Sequence, residues 1–370
     1  MTKFSFIIFI VISLSLFGYG VIVGHYEVFP YNILKNSKLF VTPLTNNEEL
    51  LDSKPDVNSL IRINSEIELY EKRSDLINYI WNAEQIPPDL PDKTNFDFID
   101  ERTEHFSNLK TIEKLVIEME YDVNSIVYIF VPIENNGKVV LYHEGHAGDF
   151  FNGEDYLQFF LNNGFTVAAF SMPLTGMNNQ PLIEDENFGY LKLRLHDDFQ
   201  FLESDTFSPI KFFLEPVTVT LNHLEKNYGF EKFSMVGISG GGWTTIVYAA
   251  IDDRISESYS VAGSLPMFLR TNPENHGDYE QRLPEFYRIA NYLELYVMGS
   301  YGDDRKLVQI FNKYDPCCFS GELFTYYEKE VKHKLDTLDH GNFSVMLDDS
   351  HKEHKISDFI LTEILLLMSK

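Results

Sequence analysis

A serine flanked by glycines follows an apolar run in the second half of the chain. Lys232 to Val236 (KFSMV) leads directly into Gly237-Ile238-Ser239-Gly240-Gly241, and a helical pattern begins near Trp243. This is the G-x-S-x-G pattern of a nucleophile on a sharp turn between a strand and a helix. Glycines are required there because such a turn leaves no room for Cβ atoms beside the serine. We therefore predict Ser239 as a catalytic nucleophile, the alternative being a glycine-rich turn with a bystander serine.

A serine at its ordinary pKa is a weak nucleophile and needs a base that is held by an acid. Downstream, the apolar run Leu307 to Phe311 leads to Asp315, which we predict as the acid. The last apolar run, 343–347, leads to His351 and His354. Either histidine could serve as the base; the spacing slightly favours His351, but the sequence leaves this choice open.

Two alternatives concern the acid. Asp303 and Asp304 follow Leu293 to Met298, which could also be a strand, but this choice would leave the run at 307–311 without a role. Asp315 precedes Pro316 and could instead simply begin a turn.

The segment 139–150 (VVLYHEGHAGDF) contains two histidines and a glutamate directly after an apolar run. A zinc-binding H-E-x-x-H motif requires a helix, whereas Gly145 and Gly148 disfavour one, and no third ligand is evident nearby. We therefore predict no metal here. We expect the loop to supply a backbone N–H to an oxyanion, with His146 as the donor position and Gly240 as the second donor.

Charge and cysteine content exclude some functions. The chain has 56 Asp and Glu against 30 Lys and Arg, a formal net charge of −26. Such a chain repels phosphate backbones, so we expect no nucleic-acid partner. Its only two cysteines, Cys317 and Cys318, are neighbours that rarely bridge without strain, so we expect core thiols and no disulfide framework.

The N-terminal segment predicts a membrane association. Residues 4–24 contain no charge and are long enough to cross a bilayer as a helix. No A-x-A-like cleavage site is evident, which favours an uncleaved single-pass anchor over a signal peptide. We expect the remainder of the chain to be extracytoplasmic, or secreted if the segment is cleaved.

Three regions follow from this pattern. Residues 1–24 form the anchor or signal segment. Residues 25–108 are polar and proline-interrupted, with a predicted helix from Ile67 to Asn82, and form a linker and helical extension. Residues 109–370 form the catalytic domain, in which short apolar strands alternate with helices. That alternation predicts a mostly parallel sheet with helices on both faces.

The order of these motifs resembles the α/β-hydrolase superfamily over residues 109–370. The resemblance lies in the strand before HEGHAG, the strand before GISGG, Asp315 and the two late histidines; Glu144 stands where that family usually has a histidine. The runs VGISGGGWTT and YDPCCF are similar to poorly characterised bacterial hydrolases of this superfamily. The resemblance implies an eight-stranded sheet, a Ser-His-Asp triad and no cofactor.

Two insertions, 172–212 and 264–292, follow strand ends and are rich in aromatic residues and proline, as expected of a lid or pocket wall. The charged residues His276, Asp278 and Glu280 could bind a cationic or hydroxylated group or form a solvated loop. We expect a serine hydrolase acting on a small carboxylic ester. A peptidase or amidase with the same machinery and a non-catalytic binding module of this fold are the alternatives.

Overall fold

The computed structural model describes Tyr19, residues 55–271 and residues 273–368. Residues from Asp56 onward belong to one compact unit. Its main feature is a nine-stranded sheet in the order β1-β2-β3-β5-β4-β8-β9-β10-β11. A separate two-stranded hairpin is formed by β6 and β7. The strands are β1 (Lys93–Asn95), β2 (Leu109–Glu118), β3 (Asn124–Pro132), β4 (Val139–His143), β5 (Thr166–Phe170), β6 (Leu182–Asp185), β7 (Gly189–Lys192), β8 (Phe233–Ile238), β9 (Ile255–Val261), β10 (Lys306–Asn312) and β11 (Asn342–Asp348).

Ten α-helices, several of them single turns, surround this sheet among the described residues. They are α1 (Val57–Leu60), α2 (Glu66–Trp81), α3 (Glu154–Asn162), α4 (Lys211–Tyr228), α5 (Gly240–Ile251), α6 (Tyr279–Arg282), α7 (Pro284–Ile289), α8 (Tyr292–Ser300), α9 (Glu328–Thr337) and α10 (Asp358–Met368). A 3₁₀ helix, His196–Phe201, lies in the first insertion.

The sheet is mostly parallel, as the sequence predicts. The pairs β5–β4, β4–β8, β8–β9, β9–β10 and β10–β11 are parallel, whereas β1, β2 and β3 join by antiparallel pairing. Successive side chains of β4 point to opposite faces, yet all five of its residues are buried. Both faces of the central sheet are therefore covered, which explains why its strands are continuous apolar runs rather than alternating ones.

One face of the core contains α3 and α10. Phe160 of α3 and Ile364 of α10 pack in the same buried cluster as Tyr142, Val236 and Ile310, which come from three central strands. These strands are therefore packed against both helices. Their carboxyl ends, where the predicted site residues follow, consequently have a fixed spacing.

The helical extension packs onto the helix that follows Ser239. The predicted helix is present as α2, capped by Ser65, whose side chain accepts a hydrogen bond from the N–H of Glu68. Arg73 on α2 is buried and donates from Nε to the carbonyl of Ala250, at 3.1 Å, in the last turn of α5. This hydrogen bond attaches the N-terminal extension to the carboxyl end of α5.

The predicted membrane anchor requires a correction. No helix among the described residues is both long enough and apolar enough to cross a membrane. The predicted span at 4–24 lies outside the described residues, apart from Tyr19. The prediction rested on the length of this segment, its lack of charge and the absence of a cleavage site. The transmembrane helix and the membrane-anchored localisation are not supported by the structure.

Three further differences concern single elements. Leu293 to Met298, considered as a strand, lies within the helix α8, which begins with a capping box of Asn291 and Glu294. The resemblance implied eight strands, and the short edge strand β1 adds a ninth. The hairpin β6–β7 within the first insertion was not predicted from the sequence.

Candidate active site

Ser239 occupies a strained turn between β8 and α5. Its backbone has φ 55° and ψ −122°, a conformation rarely adopted by residues with a side chain. The turn is held on both sides, because the N–H of Ser239 donates to the carbonyl of Val261 and its own carbonyl accepts from Trp243. The serine is neither fully buried nor fully exposed. This is the geometry expected of a serine presented at the top of a sheet.

Close backbone packing holds the loop after β4 against this turn. A Cβ added to Gly145 would lie 2.6 Å from the Cβ of Ser239, and one added to Gly241 would lie 2.1 Å from the carbonyl oxygen of His143. Both distances are far below van der Waals contact. Only glycine therefore allows the loop and the turn to approach this closely.

Asp315 and His354 are joined at the carboxyl edge of the sheet. His354 Nδ1 lies 2.7 Å from Asp315 Oδ2, and the Asp315 side chain is fully buried. The same oxygen accepts from the amide of Asn312, at 3.2 Å. The other oxygen accepts from the N–H groups of Cys317 and Cys318, at 2.8 and 3.2 Å. Asp315 is thus a carboxylate held by three N–H donors and one histidine.

This environment favours the charged form of Asp315. Burial alone raises the pKa of a carboxyl group, but the hydrogen bond and the charge of His354, together with the two N–H groups, outweigh burial and hold the pKa of Asp315 below its ordinary value. A carboxylate that stays ionised can orient the histidine and stabilise its protonated form.

The remaining nitrogen of His354 has no hydrogen-bond partner among the described residues. Nε2 is buried and makes no hydrogen bond to any described residue. A neutral imidazole whose Nδ1–H donates a hydrogen bond to a carboxylate has its lone pair on Nε2. In this tautomer, Nε2 of His354 is a proton acceptor that makes no other hydrogen bond among the described residues.

His351 contacts a different carboxylate. Its Nε2 lies 3.2 Å from Asp348 Oδ2, without the alignment of a hydrogen bond, and its Nδ1 accepts from the N–H of Glu353. Asp348 is itself engaged by the hydroxyl groups of Ser350 and Ser357. Of the two histidines that follow β11, the structure brings only His354 to Asp315.

The loop after β4 presents its groups differently from a metal motif. His143 is buried, stacks on Phe170 and contacts the carbonyl of Glu144 through Nδ1, at 2.9 Å. Glu144 is buried as well; it accepts from the Tyr142 hydroxyl at 2.6 Å and from the N–H of Gly145 at 2.9 Å. Burial raises the pKa of Glu144. Since Glu144 already engages the N–H of Gly145, that group is not available to an oxyanion.

Two other N–H groups remain available beside Ser239. The N–H of Gly240 is in the first turn of α5, where a helix leaves its donors without intrahelical partners. The N–H of His146 makes no hydrogen bond to another described residue. The side chain of His146 packs against Gly240, with Cε1 2.5 Å from where a Cβ on that glycine would lie. Both predicted donor positions are thus adjacent to the turn.

Some neighbours of the site differ from the expectations. Glu280 is completely buried rather than solvated, and it contacts His146 together with His196, a residue that no sequence pattern indicated. Cys317 and Cys318 form a disulfide between adjacent residues, contrary to the expectation of two core thiols. No sequence pattern indicated either the contacts of Glu280 or the disulfide.

Comparison with known proteins identifies the fold. No family model and no curated protein sequence matches the chain. Among solved structures, it is similar to acetyl xylan esterase 1 from Thermoanaerobacterium sp. JW/SL YS485, with a TM-score of 0.54 and 11% identity over 84% of this chain and 96% of that chain. The acetyl xylan esterase from Paenibacillus sp. R4 gives 0.53 and 14% over 85% and 98%.

A third similar structure is the glucuronoyl esterase from Solibacter usitatus, with a TM-score of 0.51 and 12% identity over 81% of this chain and 91% of that chain. These likenesses, together with the sheet and the turn at Ser239, confirm the resemblance predicted from the sequence: the chain has the α/β-hydrolase fold.

Replacing Gly145 with alanine should destabilise the protein. The new methyl group would overlap the Ser239 side chain, and forcing a loop aside in a packed region costs about 1–3 kcal/mol. Urea unfolding of Gly145→Ala should therefore show a lower free energy of unfolding. The control is Ala147→Ser, which adds an atom to an exposed side chain of the same loop and should change that free energy by less than about 0.5 kcal/mol. Equal stability of the two variants would contradict the close contact.

His143 should make folding stability depend on pH. Burial lowers the pKa of His143 from 6.5 to about 4. Below pH 6.5 the unfolded chain therefore binds a proton that the folded chain does not, so stability falls as the pH falls from 6.5 to 4, by about 3 kcal/mol. His143→Gln removes this contribution. The free energy of unfolding of wild type minus that of His143→Gln should decrease by that amount as the pH falls from 6.5 to 4. A difference that does not change with pH would contradict the prediction.

Proposed function

We propose that the chain is a serine hydrolase that cleaves a carboxylic ester through Ser239, His354 and Asp315. The observation that supports this most directly is the 2.7 Å contact between His354 Nδ1 and the buried, fully hydrogen-bonded Asp315. A histidine that is merely solvated does not require a buried carboxylate as its partner. The contact occurs at the same edge of the sheet as the strained turn that presents Ser239.

In the first step, Ser239 Oγ attacks the ester carbonyl carbon while its proton passes to His354 Nε2. The imidazolium that forms is stabilised by Asp315, which keeps its negative charge throughout. Collapse of the tetrahedral intermediate breaks the bond to the alcohol, which takes the proton from His354. The acyl group then remains on Ser239.

In the second step, His354 removes a proton from water, and the resulting hydroxide attacks the acyl carbon. Ser239 leaves with the proton from His354, and the acid is released. The negative oxygen in both steps requires preorganised donors. The N–H groups of Gly240 and His146 are proposed for this role, because Glu144 occupies the N–H of Gly145.

An ester is favoured over an amide by the names of the three similar structures, which are two acetyl xylan esterases and a glucuronoyl esterase. Their low identity to this chain transfers no particular acyl or alcohol group. A short acyl ester such as p-nitrophenyl acetate is therefore the first substrate to test, beside the matching anilide.

Hydrolysis of p-nitrophenyl acetate should distinguish the two histidines. Removing a triad serine or histidine costs on the order of 10⁴–10⁶-fold in kcat, since the members act as one unit. We expect losses of this size in Ser239→Ala and His354→Ala. Asp315→Asn should lose roughly 10⁴-fold, because the histidine is then held in the wrong tautomer. The matched control is His351→Ala, which removes a histidine three residues away and should retain activity within about tenfold of wild type.

Loss of activity in His351→Ala equal to that in His354→Ala would contradict this assignment. Activity on the anilide with none on the ester would favour an amidase. A folded wild type inactive on both would favour a non-catalytic binding module.

A further inference from the structure

Four potential ligands for a metal ion meet above the turn at Ser239. His146 comes from the loop after β4, His196 from the 3₁₀ helix of the first insertion, and Asp278 and Glu280 from the second insertion. One side-chain nitrogen or oxygen from each lies within 4.8 Å of all the others. Three segments that are far apart in the sequence thus contribute to one cluster.

The spacing of these atoms suits a tetrahedral ion. His146 Nε2 is 3.1 Å from Glu280 Oε1 and 3.5 Å from Asp278 Oδ2. His196 Nδ1 is 3.4 Å from Glu280 Oε2 and 3.6 Å from Asp278 Oδ2. Metal–ligand bonds of about 2.0–2.2 Å in a tetrahedron place neighbouring ligand atoms about 3.3–3.6 Å apart. Three of the four contacts lie within this range and the fourth is 0.2 Å below it, with Glu280 directing Oε1 at His146 and Oε2 at His196.

Two of these atoms are buried without a hydrogen bond. They are His196 Nδ1 and Glu280 Oε2, whose side chains are 3% and 0% exposed. Buried polar atoms in proteins are nearly always hydrogen-bonded, so two adjacent buried atoms without hydrogen bonds require an explanation. A cation between them would satisfy both.

The tautomer of His196 supports this interpretation. Its Nε2 lies 2.9 Å from the carbonyl oxygen of Pro173, which can only accept, so Nε2 bears the proton. In the neutral ring, Nδ1 then has a lone pair directed at a carboxylate. Metal-binding histidines show the same arrangement, in which the second nitrogen donates to a carbonyl and fixes the ring.

Among the described residues, the charge of Glu280 is balanced by two histidines alone. Its ion-pair partners among the described residues are the two histidines, and its other side-chain contact is a long one, 3.5 Å, from the amide of Gln281. A buried carboxylate is costly unless it is paired or coordinates a metal. The half-exposed Asp278 and the partly exposed His146 leave a route by which an ion could enter.

We propose that His146, His196, Asp278 and Glu280 form a binding site for a divalent transition-metal ion, with Zn²⁺ as the best match. Two imidazole nitrogens and two carboxylates suit Zn²⁺, whereas Ca²⁺ and Mg²⁺ prefer oxygen ligands alone. Of the HEGH segment, only His146 belongs to this site. His143 contacts the carbonyl of Glu144, and the Glu144 side chain accepts from Tyr142. Ion binding does not depend on the proposed hydrolase activity.

The ion would join the loop after β4 to both insertions. Because the His146 ring packs on Gly240 beside Ser239, a bound ion would fix this loop and the insertion segments above the turn. Its role is structural and positioning, and the ion takes no part in the bond changes described above.

The test uses the purified chain, treated with chelator and then titrated with Zn²⁺ by calorimetry. We expect one Zn²⁺ per wild-type chain and a dissociation constant at least about tenfold weaker in Glu280→Gln, which keeps the size of the side chain but removes its charge. Zn²⁺ should also raise the Tm of wild type more than that of the variant. Co²⁺ in place of Zn²⁺ should give the visible absorption of a four-coordinate site in wild type only.

The matched control is His223→Gln, which alters another buried histidine–glutamate pair, with Glu113 at 3.0 Å, and should bind Zn²⁺ as wild type does. If Glu280→Gln does not give a cooperative thermal transition, His146→Gln replaces it, because that side chain is partly exposed and its backbone N–H is retained. Equal Zn²⁺ affinity in wild type and the cluster variant, or no stoichiometric binding to wild type, would overturn the proposal and leave a protonated histidine–carboxylate cluster.

Discussion

The arrangement around Ser239 depends on the close contact of three backbone segments. The turn at Ser239 touches the loop after β4 through Gly145 and Gly241, while Gly242 and Gly263 bring the start of α5 against the segment after β9. At each of these contacts a methyl group would overlap neighbouring atoms, so the spacing is set by backbone alone. This spacing brings backbone N–H groups of the loop and of the turn close to the serine. A backbone donor cannot rotate away, which makes it well suited to a charge that develops only during reaction.

The sheet provides the second constraint. Neighbouring parallel strands end at one edge, and Asn312 at the end of β10 is paired in register with Asp348 at the end of β11. The segment after β10 therefore returns beside the segment after β11. Asp315 meets His354 there, and the N–H groups of the adjacent cysteine pair keep the carboxylate in place. The geometry of the acid and the histidine thus follows from strand register together with two short loops.

Much of this could be predicted from the sequence because it depends on local patterns. The strand–turn–helix context predicted the turn at Ser239, which the structure contains. The apolar run before Asp315 favoured this residue over Asp303 and Asp304, and Asp315 is the one that contacts a late histidine. The choice between His351 and His354 could not be made from the sequence, since both follow β11 within a few residues. It depends on Asp348 contacting His351, which the spacing of the histidines does not reveal. Asn291 and Glu294, in contrast, form a capping box that could have identified α8 as a helix.

Contacts between the insertions could not be predicted for a different reason. Glu280 is an ordinary acidic residue in a polar-looking loop, and only the histidines from two other segments make its burial tolerable. No spacing rule connects residues from three separate segments. The uncharged N-terminal segment shows the opposite error, because length and lack of charge were interpreted without any tertiary context.

The central claim, that Ser239 is an activated nucleophile, is tested most directly by labelling with a fluorophosphonate probe followed by peptide mapping. We expect the wild-type chain to acquire one probe molecule on the peptide containing Ser239, Ser239→Ala to acquire none, and His354→Ala to react far more slowly than His351→Ala. Labelling that persists in Ser239→Ala, or a folded wild type that does not react, would contradict this claim.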